Sequence, residues 1–394
     1  MRKISWLKSK VLLFGIVAGM TIGLGTVDDL SAAVLSVEDF NLYGYVDISY
    51  TQNFNNPANK VNQNAGFVND SNSFRPDLAQ IVLEKEAKMG GNLKDNAGFR
   101  VKLDFGDDTE FTGGTDASSG TDFQEIYGQF IVPIGNGLDL RFGRINSVIG
   151  YELIESPYNP NFTRSFLFNL GVPFTTTGIR LSYEFNKYVS FNIGAINSFT
   201  GTTSDTNNGK SVESSLSLNL TDWLNLTLYG FFGPEGLVGQ KNAGRVLGGG
   251  ILSIQATDNL SFVVDAYYNN QANAILNGKN IGNARWNGVA GYAIYDLNKQ
   301  WGVRIRGEIF EDAAGFVTCL GTTAAQPKAQ SCASLGPIPQ TLWANTATLQ
   351  YKPVSSVITR AEFRYDKSNR NTFLTGTRPT NNQKRLMFQF IYLF

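Results

Sequence analysis

The stretch VITRAEFRYD (residues 357–366) decides the fold class, because apolar and charged side chains alternate along it with a period of two. From residue 359 onward the odd positions carry Thr, Ala, Phe and Tyr, and the even positions carry Arg, Glu, Arg and Asp. Successive side chains of an extended strand point to opposite faces, so the stretch predicts a β-strand with one apolar and one charged face. The same alternation recurs at 99–105, 179–185 and 385–394.

The composition favours a strand-rich wall between lipid and water. The 394 residues include 28 Phe, 16 Tyr, 41 Gly and no His, yet the mean hydropathy is only −0.14. A transmembrane barrel combines these features, because it shows aromatic side chains to lipid and polar ones to water. Lys and Arg together number 33, as do Asp and Glu, so the sequence predicts no nucleic-acid partner.

Residues 1–33 are predicted to be an export signal, and the mature chain is expected to begin at Val34. The first ten residues carry four Lys or Arg, and the apolar run 11–24 follows them. That run is shorter than the roughly 20 residues that a transmembrane helix needs. The small residues Ser31, Ala32 and Ala33 suit a cleavage site. The alternative is an uncleaved membrane anchor.

The connections between the alternating segments are short and long in turn. Short links lie at 186–187, 221–222, 257–259 and around Pro353. Short periplasmic turns and long outer loops are typical of a transmembrane barrel. The long links are expected at roughly 52–75, 107–122, 146–175, 197–210, 233–244, 269–283, 311–340 and 367–382. Strands are expected to begin near 40, 77, 97, 123, 138, 176, 188, 211, 224, 245, 260, 284, 301, 341, 357 and 383.

These patterns predict an all-β fold over residues 34–394, a transmembrane antiparallel up-and-down β-barrel of about 16 strands. A closed barrel pairs every backbone group that lies inside lipid. A barrel of this size leaves an aqueous channel, whereas eight strands would be filled by side chains. We expect the chain to lie in the outer membrane of a two-membrane bacterium, in contact with its lipid. In the last strand Phe388, Phe390 and Tyr392 should face lipid, while Arg385 and Gln389 face water.

Charged side chains on the inner faces are candidates to line the pore, and rings of such charges set the selectivity of channels. The alternative is that they only solvate a wet lumen and pair across strands. The same reasoning assigns Arg285 to the inner face. The basic candidates for the pore lining and its constriction are Arg100, Lys102, Arg180, Arg304, Arg306, Arg360 and Arg364.

The link 146–175 is predicted to fold into the barrel and narrow it. It holds three Pro and many Phe and Tyr, which a solvated outer loop does not need. Glu152 and Glu155 are expected to oppose a basic wall, so that facing charges create a transverse field. The alternative is an outer loop packed on its neighbours, since long loops are either functional or disordered. The basic wall is expected to come from Arg304, Arg306, Arg360 and Arg364.

Cys319 and Cys332 are predicted to form a local disulfide, as in other exported proteins. One acidic cluster could bind Ca²⁺ only if several oxygens converged, and a solvated turn is the favoured interpretation. No metal or other cofactor is therefore predicted. The cluster consists of Asp104, Asp107, Asp108 and Glu110.

Two regions resemble known proteins. The last strand ends on Phe394 with aromatic residues at alternate positions, and it resembles the C-terminal signal that the barrel-assembly machinery reads. The run from 130 to 183 is similar to the OmpL-like β-barrel porin family, most clearly at RFGR (141–144), GYE (150–152) and SPYNPN (156–161). The resemblance implies an outer-membrane location and pore activity, and it brings no catalytic residues.

The leading hypothesis is a passive channel for small polar solutes and ions. The alternative is an adhesion or structural barrel that binds through its outer loops. An enzyme that relies on imidazole as its base is excluded, because the chain has no histidine. A homotrimer is expected by analogy with other pores alone.

Overall fold

The computed structural model describes residues 40–90, 93–112, 120–199, 201, 205, 207–236, 243–276, 278–320 and 337–394. The predicted export signal at 1–33 and Cys332 lie outside these residues. Cleavage after Ala33 and the pairing of Cys319 with Cys332 therefore stay predictions.

Sixteen antiparallel strands form one closed barrel in which neighbours in sequence are neighbours in space. Closure comes from pairing of the first strand with the last, where Asp47 lies opposite Ile391. The strands are β1 (Asn41–Asn53), β2 (Ser73–Lys85), β3 (Ala97–Phe105), β4 (Thr121–Val132), β5 (Leu138–Asn146), β6 (Thr175–Asn186), β7 (Val189–Ile196), β8 (Ser211–Thr221), β9 (Leu224–Pro234), β10 (Gly244–Thr257), β11 (Leu260–Gln271), β14 (Ala284–Asp296), β15 (Trp301–Asp312), β16 (Gln340–Tyr351), β17 (Val357–Ser368) and β20 (Asn382–Leu393).

Little regular structure lies in the long links. Two small hairpins are formed there by β12 (Ile275–Leu276) with β13 (Lys279–Asn280) and by β18 (Phe373–Thr375) with β19 (Arg378–Thr380). The helices are α1 (Thr109–Thr112), α2 (Phe166–Gly171) and α3 (Val317–Leu320), with a 3-10 turn at Ser156–Tyr158. In the described part of the chain, no helix is long and apolar enough to cross a membrane.

The predicted barrel and its strand number are confirmed. The predicted strand starts lie within two residues of the observed ones except in β2, which begins at Ser73 instead of near 77. Pro76 falls inside this strand and has no N–H to donate.

The two faces of the barrel wall follow the alternation in sequence. Phe388 is 49% exposed on the outside of β20, and Phe390 and Tyr392 are exposed beside it. Arg385 and Gln389 lie on the inner face and are buried. The apolar face of the last strand thus points outward.

One predicted orientation is wrong. Arg285 lies on the outer face of β14, where its side chain is 47% exposed and pairs with Glu311 at 3.5 Å. The inner face of this strand carries Trp286, Ala290 and Tyr292, all buried in the lumen. The predicted alternation along β14 is correct, but the apolar face of this strand points into the lumen instead of toward lipid.

Placing a charge on the outer face should destabilise the barrel. Phe388→Arg is expected to cost about 2–4 kcal/mol of folding free energy near the bilayer midplane, because the guanidinium must leave water. Equilibrium unfolding in lipid bilayers measures this cost. Ser217→Arg, on the half-buried inner face of β8, is the control and should change stability little. Equal destabilisation by both changes would contradict the assigned faces.

Candidate functional site

The link between β5 and β6, residues 147–174, lies inside the barrel. Its backbone bonds to side chains of strands that stand far from its roots. Glu362 on β17 accepts hydrogen bonds from the backbone N–H groups of Phe162 (2.7 Å) and Thr163 (2.9 Å). Glu308 on β15 accepts one from Phe166 N at 2.5 Å. We call residues 147–174 the inserted loop.

A continuous series of ion pairs on the wall holds this loop. Arg306 Nη1 lies 2.7 Å from Glu152 Oε1 of the inserted loop, and its Nε lies 3.2 Å from Glu308. Arg364 Nη2 lies 3.0 Å from the same Glu308 oxygen. The series continues through Asp366, which Arg364 and Arg385 approach to 2.6 and 2.7 Å. We call these wall residues, Arg306, Glu308, Arg364, Asp366 and Arg385, the ion ladder.

The ladder follows from the strand period. Its members occupy alternate positions of β15, β17 and β20, so all of them point to the inner face. Every ladder side chain is buried, and a buried charge is costly unless it is paired with an opposite charge. The ladder therefore fixes the loop at a defined place in the lumen.

Arg360 contributes through the loop backbone. Its Nη1 donates to the carbonyl oxygen of Ser156 at 3.0 Å, and its Nη2 donates to that of Asn159 at 2.7 Å. Together with Arg306 and Arg364, it is one of three predicted arginines that contact the inserted loop. Arg304 does not fit the prediction, because it pairs with Asp296 at 2.5 Å near the short-turn end of the barrel.

The partner predicted for Glu155 is also wrong. Glu155 pairs with Lys102 of β3, and it accepts hydrogen bonds from Gln124 (2.8 Å) and Asn146 (2.9 Å). Lys102 also lies 2.7 Å from Glu125. The Glu155 side chain therefore points toward the β3–β4 wall and not toward the arginines of β15 and β17.

The remaining predicted basic residues lie apart from the ladder. Arg100 Nε donates to Glu84 at 2.7 Å, and the Arg100 side chain keeps 28% exposure. Arg180 on β6 lies 2.5 Å from Glu213 of β8. Both form cross-strand pairs of the lumen wall.

An apolar core fills the space between the inserted loop and the β9–β16 wall. Phe166 and Leu167 of α2 are fully buried in it, together with Trp286 and Phe310 of the wall. Tyr267 donates its hydroxyl proton to the carbonyl oxygen of Leu167 at 3.0 Å. The aromatic residues of the loop therefore anchor it against this side of the barrel.

A second inward link was not predicted. Residues 54–72, between β1 and β2, pack on the inserted loop through Phe67, whose ring lies 5.5 Å from that of Phe174 and 5.9 Å from that of Phe168. Gln383 of β20 donates to the carbonyl oxygen of Gln63 at 2.9 Å. The signal available in the sequence was Phe67-Val68, an apolar pair in an Asn-rich stretch.

The acidic cluster after β3 contacts an arginine. Arg75 of β2 lies 3.3 Å from Asp107 and 3.4 Å from Asp108. Asp104 accepts a hydrogen bond from Gln80 at 2.8 Å. Asp104 and Asp108 are buried, so the turn is less solvated than predicted. No group of His, Cys, Asp or Glu within the described ranges is arranged to hold a metal ion.

The pair of Glu155 and Lys102 should persist to low pH. Burial alone would raise the pKa of the Glu155 carboxyl, but the Lys102 ammonium and the hydrogen bonds of Asn146 and Gln124 lower the pKa to about 2. A lowered pKa means that the stabilisation is complete above the ordinary value of 4.5 and is lost as the pH falls through about 2.

Single-channel recordings between pH 7 and pH 2 check this expectation. The wild-type conductance should stay level to about pH 3 and change near pH 2, as the loop tip leaves Lys102. Glu155→Gln should show the low-pH conductance already at pH 7. A wild-type transition near pH 5 would contradict the assigned pair.

A closed sixteen-stranded barrel with an apolar outer face, a charged inner face and an inserted loop defines an outer-membrane porin. The chain belongs to the family described as "Putative beta-barrel porin-2, OmpL-like", which matches residues 39–394. The resemblance seen in the sequence is thereby confirmed, as are the outer-membrane location and the channel function. No curated protein matches the chain.

Solved outer-membrane proteins share the fold at low identity. An anion-selective porin from Comamonas acidovorans is 12% identical with a TM-score of 0.58, over 90% of this chain and 99% of that one. The outer membrane channel DcaP of Acinetobacter baumannii is 12% identical with a TM-score of 0.54, over 90% and 97%. OmpT of Vibrio cholerae, described in a trimer form, is 10% identical with a TM-score of 0.55, over 90% and 99%.

Proposed function

We propose that this porin is a passive channel for small polar solutes and ions, and that the inserted loop forms its constriction. The proposal rests on one observation, the contact of Glu152 with Arg306 and the ion ladder behind it. A loop held by buried charge pairs keeps one position in the lumen, so it sets a defined limit to the size of a passing solute. The sites of selectivity are then Arg306, Arg360 and Arg364 with Glu152, and Lys102 with Glu155.

The experiment is a conductance measurement on the purified protein in planar bilayers. A channel gives unitary current steps that grow with salt concentration, and larger neutral solutes reduce them above a cut-off size. Liposome swelling with sugars of increasing mass gives that cut-off independently. A barrel that only binds through its outer loops would show neither current steps nor swelling.

No reaction is proposed for the lumen. The chain has no histidine, so neither a serine nor a cysteine can be paired with an imidazole base. The buried carboxylates of the ladder are each paired with an arginine or lysine. They serve to hold the loop.

Two partners are proposed besides solutes and lipid. The homotrimer is favoured by the OmpT structure described as a trimer, and the mass of the detergent-extracted protein tests it.

The barrel-assembly machinery is proposed to read the C-terminus. Phe394 is 54% exposed, and its backbone pairs with Gly44 of β1 at 3.1 Å in both directions. Deletion of Phe394 should therefore slow assembly.

A further inference from the structure

Among the described residues, many of the buried polar atoms without partners lie along one wall of the lumen, although others lie elsewhere, such as the Asn269 amide and the Tyr292 hydroxyl. Within the part of the chain that the structure describes, the Tyr45 and Thr51 hydroxyls of β1 have no hydrogen-bond partner. The same holds for the Asn69 side-chain amide above them, for Nε and Nη1 of Arg385 on β20, and for one Asp104 oxygen on β3. Each such atom would cost about 1–3 kcal/mol if it stayed dry, so this wall is expected to bind water.

The opposite wall is mainly apolar. Leu247, Trp286, Phe310 and Leu342 of β10, β14, β15 and β16 belong to the apolar core that packs on helix α2. Close-packed interiors of this kind leave no space for a hydrated solute. The lumen is therefore mainly apolar on one side and more polar on the other.

A cavity lies at the foot of the polar wall. Its volume is about 450 Å³, and it is bounded by β1, β2, β3 and the tip of the inserted loop. Polar side chains provide much of its surface. Those that matter here are Tyr43, Gln80, Arg100, Lys102 and Tyr158.

The inserted loop contacts the polar wall at a side chain of β20, besides the pair of Glu155 with Lys102 of β3 beside the cavity. Gln389 Nε2 donates to the two Asp47 oxygens at 2.8 and 2.9 Å and lies 3.1 Å from Ser156 Oγ of the loop. Thr51 lies further along β1 toward the outer loops, and Tyr45 lies toward the cavity. The Gln389 contact therefore separates the two hydrated parts of the wall.

We infer that ions and small polar solutes pass along the β1–β3 side of the lumen, and that the Gln389 side chain is the narrowest crossing of this route. The inference rests on the proposed channel function, and it names the residue that limits the passage. The crossing consists of side-chain hydrogen bonds, which can be exchanged for bonds to water as a solute passes. The apolar core offers no such exchange.

Gln389→Ala tests the inference, with Gln350→Ala as a matched control. Both glutamines are buried on the inner face, and each accepts a hydrogen bond of 3.0 Å from Arg360. Gln350 stands on β16, away from the polar wall. Gln389→Ala should raise the single-channel conductance about twofold by widening the crossing, and Gln350→Ala should leave it within about a fifth of the wild-type value.

The outcomes separate the route from the channel itself. If the wild-type protein conducts and the two variants have equal conductance, the proposed route is wrong and the channel function stands. No current from the wild-type protein contradicts the channel and the route with it. Heat-dependent gel migration shows that each variant has formed a closed barrel.

A second measurement does not depend on current. In a background with Cys319→Ala and Cys332→Ala, a cysteine is placed at Thr51 or at Thr176 and treated with a small charged thiol reagent. Thr176 is equally buried on β6, but its hydroxyl is bonded to Glu213 at 3.0 Å. Thr51→Cys should react at least about tenfold faster than Thr176→Cys, because thiol modification needs access from water. Equal rates would overturn the hydrated wall.

Discussion

Replacing residues 153–164 with a Gly-Ser-Gly linker is expected to raise the single-channel conductance on the order of threefold, because a barrel of sixteen strands is wide without its inserted loop. The structure shows where the inserted loop can be shortened. Glu152 accepts hydrogen bonds from Ser165 N at 2.7 Å and from Ser165 Oγ at 2.6 Å, so the two ends of the deleted segment adjoin. A short linker can therefore join them without pulling on β5 or β6.

The deletion removes the loop side of the contacts with Lys102, Arg360 and Glu362, while Glu152 keeps its bond to Arg306. The freed wall charges then face water in a widened lumen, where they are solvated. Inserting the same three residues beside Gly278, at the exposed tip of the β12–β13 hairpin, controls for general perturbation of the links. An unchanged conductance after the deletion would show that the loop does not limit the channel.

Most of the barrel could be predicted because lipid and water impose a strict alternation on each strand. The starts of β3, β5, β8 and β9 were placed to the residue, since turn residues and the change of pattern coincide there. The insertion of residues 147–174 was also predictable, because so many aromatic side chains need a surface to pack against. Contacts between the loop and the wall depend on the path of the loop, which no local pattern encodes.

The two kinds of error have physical causes. Arg285 was placed inside on the assumption that the lumen is wet along its whole length. The lumen beside β14 is filled by the apolar core, so Trp286 takes the inner position and Arg285 the outer one. Glu155 was matched to the arginines by charge, by their inward orientation and by the position of the loop root across the barrel, although Lys102 is the cation that the Glu155 side chain reaches. Charge sign predicts that a pair forms, and only the fold decides which one.

Arg306→Met is expected to weaken the docking of the inserted loop by about 3–5 kcal/mol, because it removes the cation that pairs with the buried Glu152 and one of the two that pair with Glu308. Arg306 is fully buried and contacts Glu152 at 2.7 Å and Glu308 at 3.2 Å. Its Nη1 also donates to the carbonyl oxygen of Thr163 at 2.5 Å. Methionine keeps much of the side-chain volume, so the change removes mainly the charge and these bonds.

Equilibrium unfolding in lipid measures the loss, and limited proteolysis within residues 147–174 shows whether the loop has left the wall. The matched control is Arg285→Met, whose half-exposed pair with Glu311 should contribute less than about 1 kcal/mol. Glu152→Gln in the Arg306→Met background should recover part of the stability, since it removes the carboxylate that Arg306 paired with. The loss of one lumen cation should also shift ion selectivity toward cations, which the reversal potential in a KCl gradient reports. If Arg306→Met and Arg285→Met cost the same, the ion ladder does not hold the loop.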